Sequence, residues 1–163
     1  VLPKRLAKYG LELSAEKSRM VRFSRFQLGK SSERFDFLGF EFRWVVDHKG
    51  VPRVRRRTSR KRLRASLARV TEWLKAERHL PVGQLVETLN ARLRGHYNYY
   101  GLIGNYESLC SFFNQAKRLL KKWLGRRSQK SWMTWEKFDA LLEQFPLEAP
   151  LITESWHRQM VLV

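Results

Sequence analysis

The chain has 163 residues, with 33 Lys and Arg against 15 Asp and Glu, for a formal net charge of +18. Self-repulsion of that size opposes compaction and points to a polyanionic partner, while 43% hydrophobic and 13% aromatic residues exclude a disordered basic tail. A single cysteine, Cys110, excludes an internal disulfide and any Cys-rich zinc module, and no apolar run reaches membrane-spanning length.

Cysteine usage of this kind fits a reducing, intracellular setting. No signal-peptide pattern is present. The chain begins Val1-Leu2-Pro3, and the expectation is a piece of a longer protein.

Residues 4–9 read as the last turn of a helix closed by Gly10. Leu11 to Leu13 read as a short strand start and Ser14 to Lys17 as a polar turn. Met20, Val21, Phe23 and Phe26 point to a following strand, and Gly29 to Arg34 to a surface turn. Phe35 to Val46 alternates with large apolar residues on both parities, the pattern of one strand partly covered on each face. Asp47-His48-Lys49-Gly50 is a turn and Val51 to Val54 the returning strand, so a β-hairpin is expected.

The window from Arg53 to Arg64 is the most basic: Arg53, Arg55, Arg56, Arg57, Arg60, Lys61, Arg62 and Arg64. Thr58 or Ser59 is a natural N-cap for a helix running to about Glu77. Leu63, Leu67, Val70 and Leu74 form its core stripe, with Trp73 on the flank. The arginines thus crowd a strand-to-helix junction. Helix N-termini already favour anions, and added guanidiniums make a phosphate site there. A solvated charge run is the plain alternative; the density of the cluster favours nucleic acid.

Pro81 is placed to open the next helix. Val82, Leu85, Leu89, Leu93, His96 and Tyr100 share its apolar face, with Val86 and Tyr97 at the edge and Arg94 and Asn98 well off it. His96 reads as a packed core residue rather than a base. Ala91 and Gly95 make a small-residue patch near the back. A helix-interior Gly costs about 1 kcal/mol against Ala, so it asks for a reason. Close helix packing and a polar ligand are both open for Gly95, with packing preferred.

Gly101 and Gly104 end that helix, and Asn105 or Tyr106 begins another that runs to about Leu124. Its apolar arc is wide: Tyr106, Leu109, Cys110, Phe112, Phe113, Ala116, Leu119, Leu120, Trp123 and Leu124, opposite Arg118, Lys121 and Lys122. Cys110 on that arc is expected to react slowly with thiol reagents. Gly125 caps the helix, and Arg126, Arg127 and Lys130 make a basic loop. Ser131 to Phe145 reads as a short amphipathic helix with Trp132, Trp135, Phe138, Leu141 and Leu142 inward; after Pro146 and Pro150 the pattern fades. The fold class expected is α+β, with short strands and a hairpin followed by a bundle of three to four helices.

Catalytic patterns are missing. No Gly-rich phosphate loop, HExxH or G-x-S-x-G occurs. His48, His79, His96 and His157 lack metal-ligand spacing, and Asp36, Asp47 and Asp139 lie far apart. Two-metal phosphoryl chemistry needs clustered carboxylates. What remains is a basic surface interleaved with aromatics, suited to phosphates and unpaired bases.

Four blocks, in order, resemble one family. Tyr9-Gly-Leu-Glu-Leu-Ser-Ala-Glu-Lys-Ser18 is similar to the pattern GLxLNxxKT, with Ser14 for Asn and Ser18 for Thr. Phe35-Asp-Phe-Leu-Gly-Phe40 matches FxFLGF. Asn90-Ala-Arg-Leu-Arg-Gly-His-Tyr-Asn-Tyr-Tyr100 resembles NxxLRGWxNYF, with His96 for the usual Trp, and Phe145-Pro-Leu-Glu-Ala-Pro-Leu-Ile152 resembles a closing segment. Together they resemble the C-terminal part of bacterial-type group II intron-encoded reverse transcriptases, or maturases, from Tyr9 to about Ile152.

The resemblance implies an organisation: the end of a reverse-transcriptase palm over 1–54, a maturase-specific thumb, or X domain, over 55–152, and a tail over 153–163. It implies that Lys17 faces the nucleotide side of the palm and that Leu38 and Gly39 lie in the primer grip. Arg94, Tyr97 and Asn98 would belong to an RNA-contacting or core-packing thumb helix. The candidate nucleic-acid contacts are these together with Arg53, Arg55, Arg56, Arg57, Arg60, Lys61, Arg64, Arg126 and Arg127.

The family's YADD box and metal carboxylates are absent, so this chain alone is not expected to polymerise DNA or to hold a cofactor. Magnesium is expected in a full-length parent. The implied partners are structured intron RNA, an RNA/DNA template–primer, and an upstream palm and fingers segment, in the cytoplasm and without a membrane role. The rival is a free-standing basic nucleic-acid-binding module with no polymerase role. A peripheral membrane protein is disfavoured, because no helix pairs a Lys-rich face with a fully exposed apolar one.

Overall fold

In this computed structural model residues 2–12, 14, 16, 18, 20–26, 34–127 and 133–154 are described. They form α1 (Leu2–Ala7), β1 (Phe35–Phe37), β2 (Phe40–Val46), β3 (Pro52–Thr58), α2 (Arg60–Glu77), α3 (Val82–Tyr100), α4 (Tyr106–Leu124) and α5 (Trp135–Gln144). The class is α+β as expected: an antiparallel sheet of order β1-β2-β3, then helices. Chain contacts divide it into two compact units, residues 1–35 with 43–54 and residues 36–42 with 55–163.

Three strand expectations need correction: Leu11 and Glu12 lie in no strand, and Leu13 is outside the described residues. Phe35 to Val46 is not one strand, because Leu38 and Gly39 take φ of 49° and 85°. Two successive positive φ values make the tight turn of a hairpin, which folds β1 back on β2. A leucine in that region is uncommon, and distant side chains hold it there. The Tyr99 hydroxyl donates to the Leu38 carbonyl at 2.9 Å. The Gly39 carbonyl accepts the Ser59 N–H at 2.9 Å, and a Cβ on Gly39 would stand 3.0 Å from the Tyr100 hydroxyl.

Residues 20–26 form no strand either. Met20 and Phe26 are exposed, and Phe23 instead joins a ring cluster, 5.0 Å from Phe35 and 5.4 Å from Trp44. The β2–β3 turn is as expected. Asp47 Oδ1 accepts the backbone N–H groups of Val51 and Lys49 at 2.9 and 2.8 Å, which holds its carboxyl below the usual range. Gly50 supplies the positive φ. The returning strand then continues to Thr58, beyond the expected Val54.

In the second unit the helices follow their apolar periodicity. Ser59 caps α2, its hydroxyl accepting the Arg62 N–H, and Leu63, Leu67, Val70 and Leu74 face the core. Leu85, Leu89, Leu93, His96 and Tyr100 do so from α3, and Leu109, Phe112, Ala116, Leu120 and Trp123 from α4. α4 packs against both α2 and α3, which its wide arc allows. Thr134 caps α5, and Phe138 is fully buried. Trp135, expected inward, is 48% exposed; its ring meets Phe138 edge-on at 5.9 Å, with the Lys121 ammonium 4.6 Å above it. Trp132 lies outside the described residues. Cys110 is half-buried rather than core, because it and Tyr106, four residues apart on α4, mark the open edge of the arc.

Beyond α5, residues 146–154 run as a strap bonded to α3. Asn90 Nδ2 donates to the Pro146 carbonyl and its Oδ1 accepts the Glu148 N–H, both at 2.9 Å. The Tyr97 hydroxyl donates to the Glu148 carbonyl at 3.1 Å, and Arg94 pairs with the Glu148 carboxylate. Further on, the N–H groups of Thr153 and Glu154 both donate to the Gly101 carbonyl at 2.9 Å. A Cβ on Gly101 would collide with the Tyr97 carbonyl and with Thr153. Backbone groups left over at the end of α3 are thereby satisfied without a partner helix. Among the described residues no helix is long and apolar enough to cross a membrane.

Candidate nucleic-acid interface

The basic run divides into two electrostatic classes once its carboxylate partners are placed. Arg55 and Arg57, leaving β3, both pair with Glu107. Arg56 makes a two-pronged contact with Glu154, its Nη2 at 3.0 Å from each oxygen, and the Ile103 N–H donates to the same carboxylate at 2.7 Å. Glu154 is only 12% exposed, so this part-buried pair commits Arg56 to holding the strap. Glu107 is 65% exposed. Its pairs are surface pairs worth about 0–1 kcal/mol, and a phosphate can displace them.

Arg60, Lys61 and Arg64 differ. They are exposed on the first turns of α2, with no carboxylate partner among the described residues. At 100° per residue Arg60 and Arg64 lie on one flank of the Leu63–Leu67–Val70–Leu74 stripe, and Arg62 and Arg69 on the other. No acidic residue occupies the first turn, so the N-terminal helix dipole and the uncompensated cations act together on an anion. In the first unit Arg53 pairs with Asp47 at 2.7 Å.

The remaining candidate residues have varied settings. Lys17 lies outside the described residues. Leu38 is exposed at the tip of the β1–β2 turn, and Gly39 lies beneath Arg62 and Tyr100. Tyr97 is buried, and burial pushes its phenol well above the ordinary range. Arg94 turns to Glu148, while Asn98 is exposed. Arg126 stacks 5.5 Å from the Trp123 ring, a cation–π contact that Arg78 and Lys122 share. Arg127 donates to the Leu80 carbonyl, and burial lowers its guanidinium pKa.

Sequence reasoning missed a cavity of about 290 Å³ between α2 and α3. Arg69 enters it from α2, and Arg92, Gly95, His96 and Tyr99 from α3. His96 is in the core, as its position on the apolar face indicated, and its ring stacks on Phe112 at 3.7 Å. Burial, aided by the charge of Arg69, lowers its pKa to about 4. Its Nε2 has no hydrogen-bond partner among the described residues. Close packing does not explain Gly95, since a Cβ there would meet nothing within 4 Å. That helix-interior glycine was the one available signal of the cavity.

Residues 63–139, from the first turns of α2 into α5, match the family model of the group II intron, maturase-specific domain. This bears out the resemblance to the C-terminal part of a group II intron maturase. No curated protein and no solved structure matches the chain.

Proposed function

We propose that this chain, which carries a group II intron maturase-specific domain over residues 63–139, binds structured intron RNA and so serves group II intron splicing. The domain gives the maturase-related role. The observation that carries the RNA contact is the trio Arg60, Lys61 and Arg64, exposed at the start of α2 without carboxylate partners among the described residues. Arg55 and Arg57 join them when phosphate replaces Glu107. Lys17 and the exposed turn at Leu38 and Gly39 are assigned to a template–primer during RNA-directed DNA synthesis, and this assignment rests on the FxFLGF resemblance. A free-standing basic module would share the charge but would not account for the family match.

Magnesium belongs in this reading to an upstream palm. Among the described residues no group of three or more His, Cys, Asp or Glu could hold a metal ion.

The test is the salt dependence of RNA binding. Each phosphate contact contributes roughly 0.7–0.9 to the slope of log affinity against log salt. Replacing Arg60, Lys61 and Arg64 together with Gln is expected to weaken binding and flatten the slope by about two to three units, with folding retained because none of the three is buried. The control is the triple Gln change at Arg118, Lys121 and Lys122, which removes equal charge from α4. If the two triples act alike, binding follows net charge and the localised surface is wrong.

A further inference from the structure

The cavity between α2 and α3 is not used by the phosphate-binding surface described above. We propose that it receives one unpaired nucleotide of a bound RNA, with the base against Tyr99 and the strand phosphate held by Arg69 and Arg92. The inference rests on the RNA-binding reading and deepens it.

Gly95 lies in the interior of α3 at an exposed position on the rim of the cavity, its φ is not positive, and a Cβ there would meet nothing within 4 Å. Neither backbone geometry nor packing demands a glycine, but an occupant of the cavity would. Arg69 and Arg92 line the space from facing helices, and neither has a carboxylate partner among the described residues. The Arg92 guanidinium is steadied 4.7 Å over the Trp73 ring, and Arg69 Nη2 lies 3.4 Å from the Ser66 hydroxyl. Two placed guanidiniums suit a phosphate.

The aromatic surfaces favour a nucleotide over a bare anion. Tyr99 is 54% exposed, yet its hydroxyl is tied to the Leu38 carbonyl, so the ring is a fixed platform. His96, only 8% exposed and with Nε2 unpartnered among the described residues, stacks with Phe112 in the lining. Fixed rings beside cations form the sequence-tolerant mode by which proteins hold unpaired bases. A space of about 290 Å³ does not admit a paired duplex end. The occupant must come from a bulge, loop or flipped position.

The experiment compares two RNA hairpins, one fully paired and one with a single bulged nucleotide, by fluorescence anisotropy. The wild-type chain is expected to bind the bulged hairpin about tenfold tighter, the scale of one base–aromatic stack. Gly95→Leu fills the cavity, and leucine is a better helix former than glycine. This variant should keep its thermal midpoint, bind the paired hairpin as wild type does, and lose the preference. Arg92→Gln, at an exposed position, should reduce the preference without filling the space. Equal binding of the two hairpins by wild type, or a preference retained in Gly95→Leu, would overturn the pocket. Failure to bind the paired hairpin would instead overturn the RNA-binding reading, and the pocket with it.

Discussion

Asn105→Ala is expected to destabilise the fold by about 3–5 kcal/mol, read from urea unfolding midpoints. Asn105 is fully buried, and its side chain bridges the end of β3 and the end of α3. Its Oδ1 accepts the Thr58 N–H at 2.9 Å, and its Nδ2 donates to the Thr58 hydroxyl and the Tyr100 carbonyl, each at 2.8 Å. Truncation strands two buried groups, the Thr58 N–H and hydroxyl, each at a cost of about 1–3 kcal/mol before relaxation, and weakens a third, since the Tyr100 carbonyl keeps only the Leu102 N–H at 2.8 Å. Against a typical total of roughly 5–15 kcal/mol that loss is severe. Asn105→Asp keeps the acceptor but loses the donor and buries a charge, so it should be no better tolerated. A loss under about 1 kcal/mol for the alanine variant would show that the bridge is dispensable.

The second large effect is a dependence on pH centred on His96. Its pKa is about 4 in the folded chain against an ordinary value of 6.5. Between those values the unfolded chain binds a proton that the folded chain refuses, so stability rises with pH across the window. The contribution is complete above pH 6.5 and lost by about pH 4. At 1.36 kcal/mol per unit the full swing is about 3 kcal/mol. His96→Phe keeps an aromatic ring against Phe112 and cannot titrate. The stability of wild type minus that of His96→Phe should therefore fall by about this amount from pH 7 to pH 4. A flat difference would mean that the imidazole is not buried as a neutral group.

What was legible in the sequence was whatever local pattern dictates. The stripe Leu63, Leu67, Val70 and Leu74 and the apolar arc of α4 are contained within one helix each, and periodicity finds them; residue type narrowed the α2 cap to Thr58 or Ser59, and it is Ser59. The β1–β2 turn was not legible, because Phe-Leu-Gly-Phe alternates like a strand. What bends it is a tyrosine hydroxyl sixty-one positions away. Asn105 read only as one of two residues that could begin α4, yet it makes no side-chain cap bond and spends its amide on Thr58 and Tyr100.

The strap was equally hidden, since bonds from Asn90, Tyr97 and Gly101 define it and its own sequence has no period. Charge density alone marked the Arg53–Arg64 run. It could not tell Arg56, paired with the well-covered Glu154, from Arg60, Lys61 and Arg64, which face solvent.

Photo-crosslinking to a structured group II intron RNA, followed by glutamyl-endopeptidase digestion, tests the central claim most directly. Cleavage after Glu41, Glu72, Glu107 and Glu136 separates fragment 42–72, which holds the β3–α2 junction, from fragment 108–136, which holds the basic residues of α4. Bound RNA is expected chiefly on fragment 42–72, with a yield there that collapses when Arg60, Lys61 and Arg64 are all Gln. Crosslinks concentrated on fragment 108–136, or undiminished by that triple change, would contradict it.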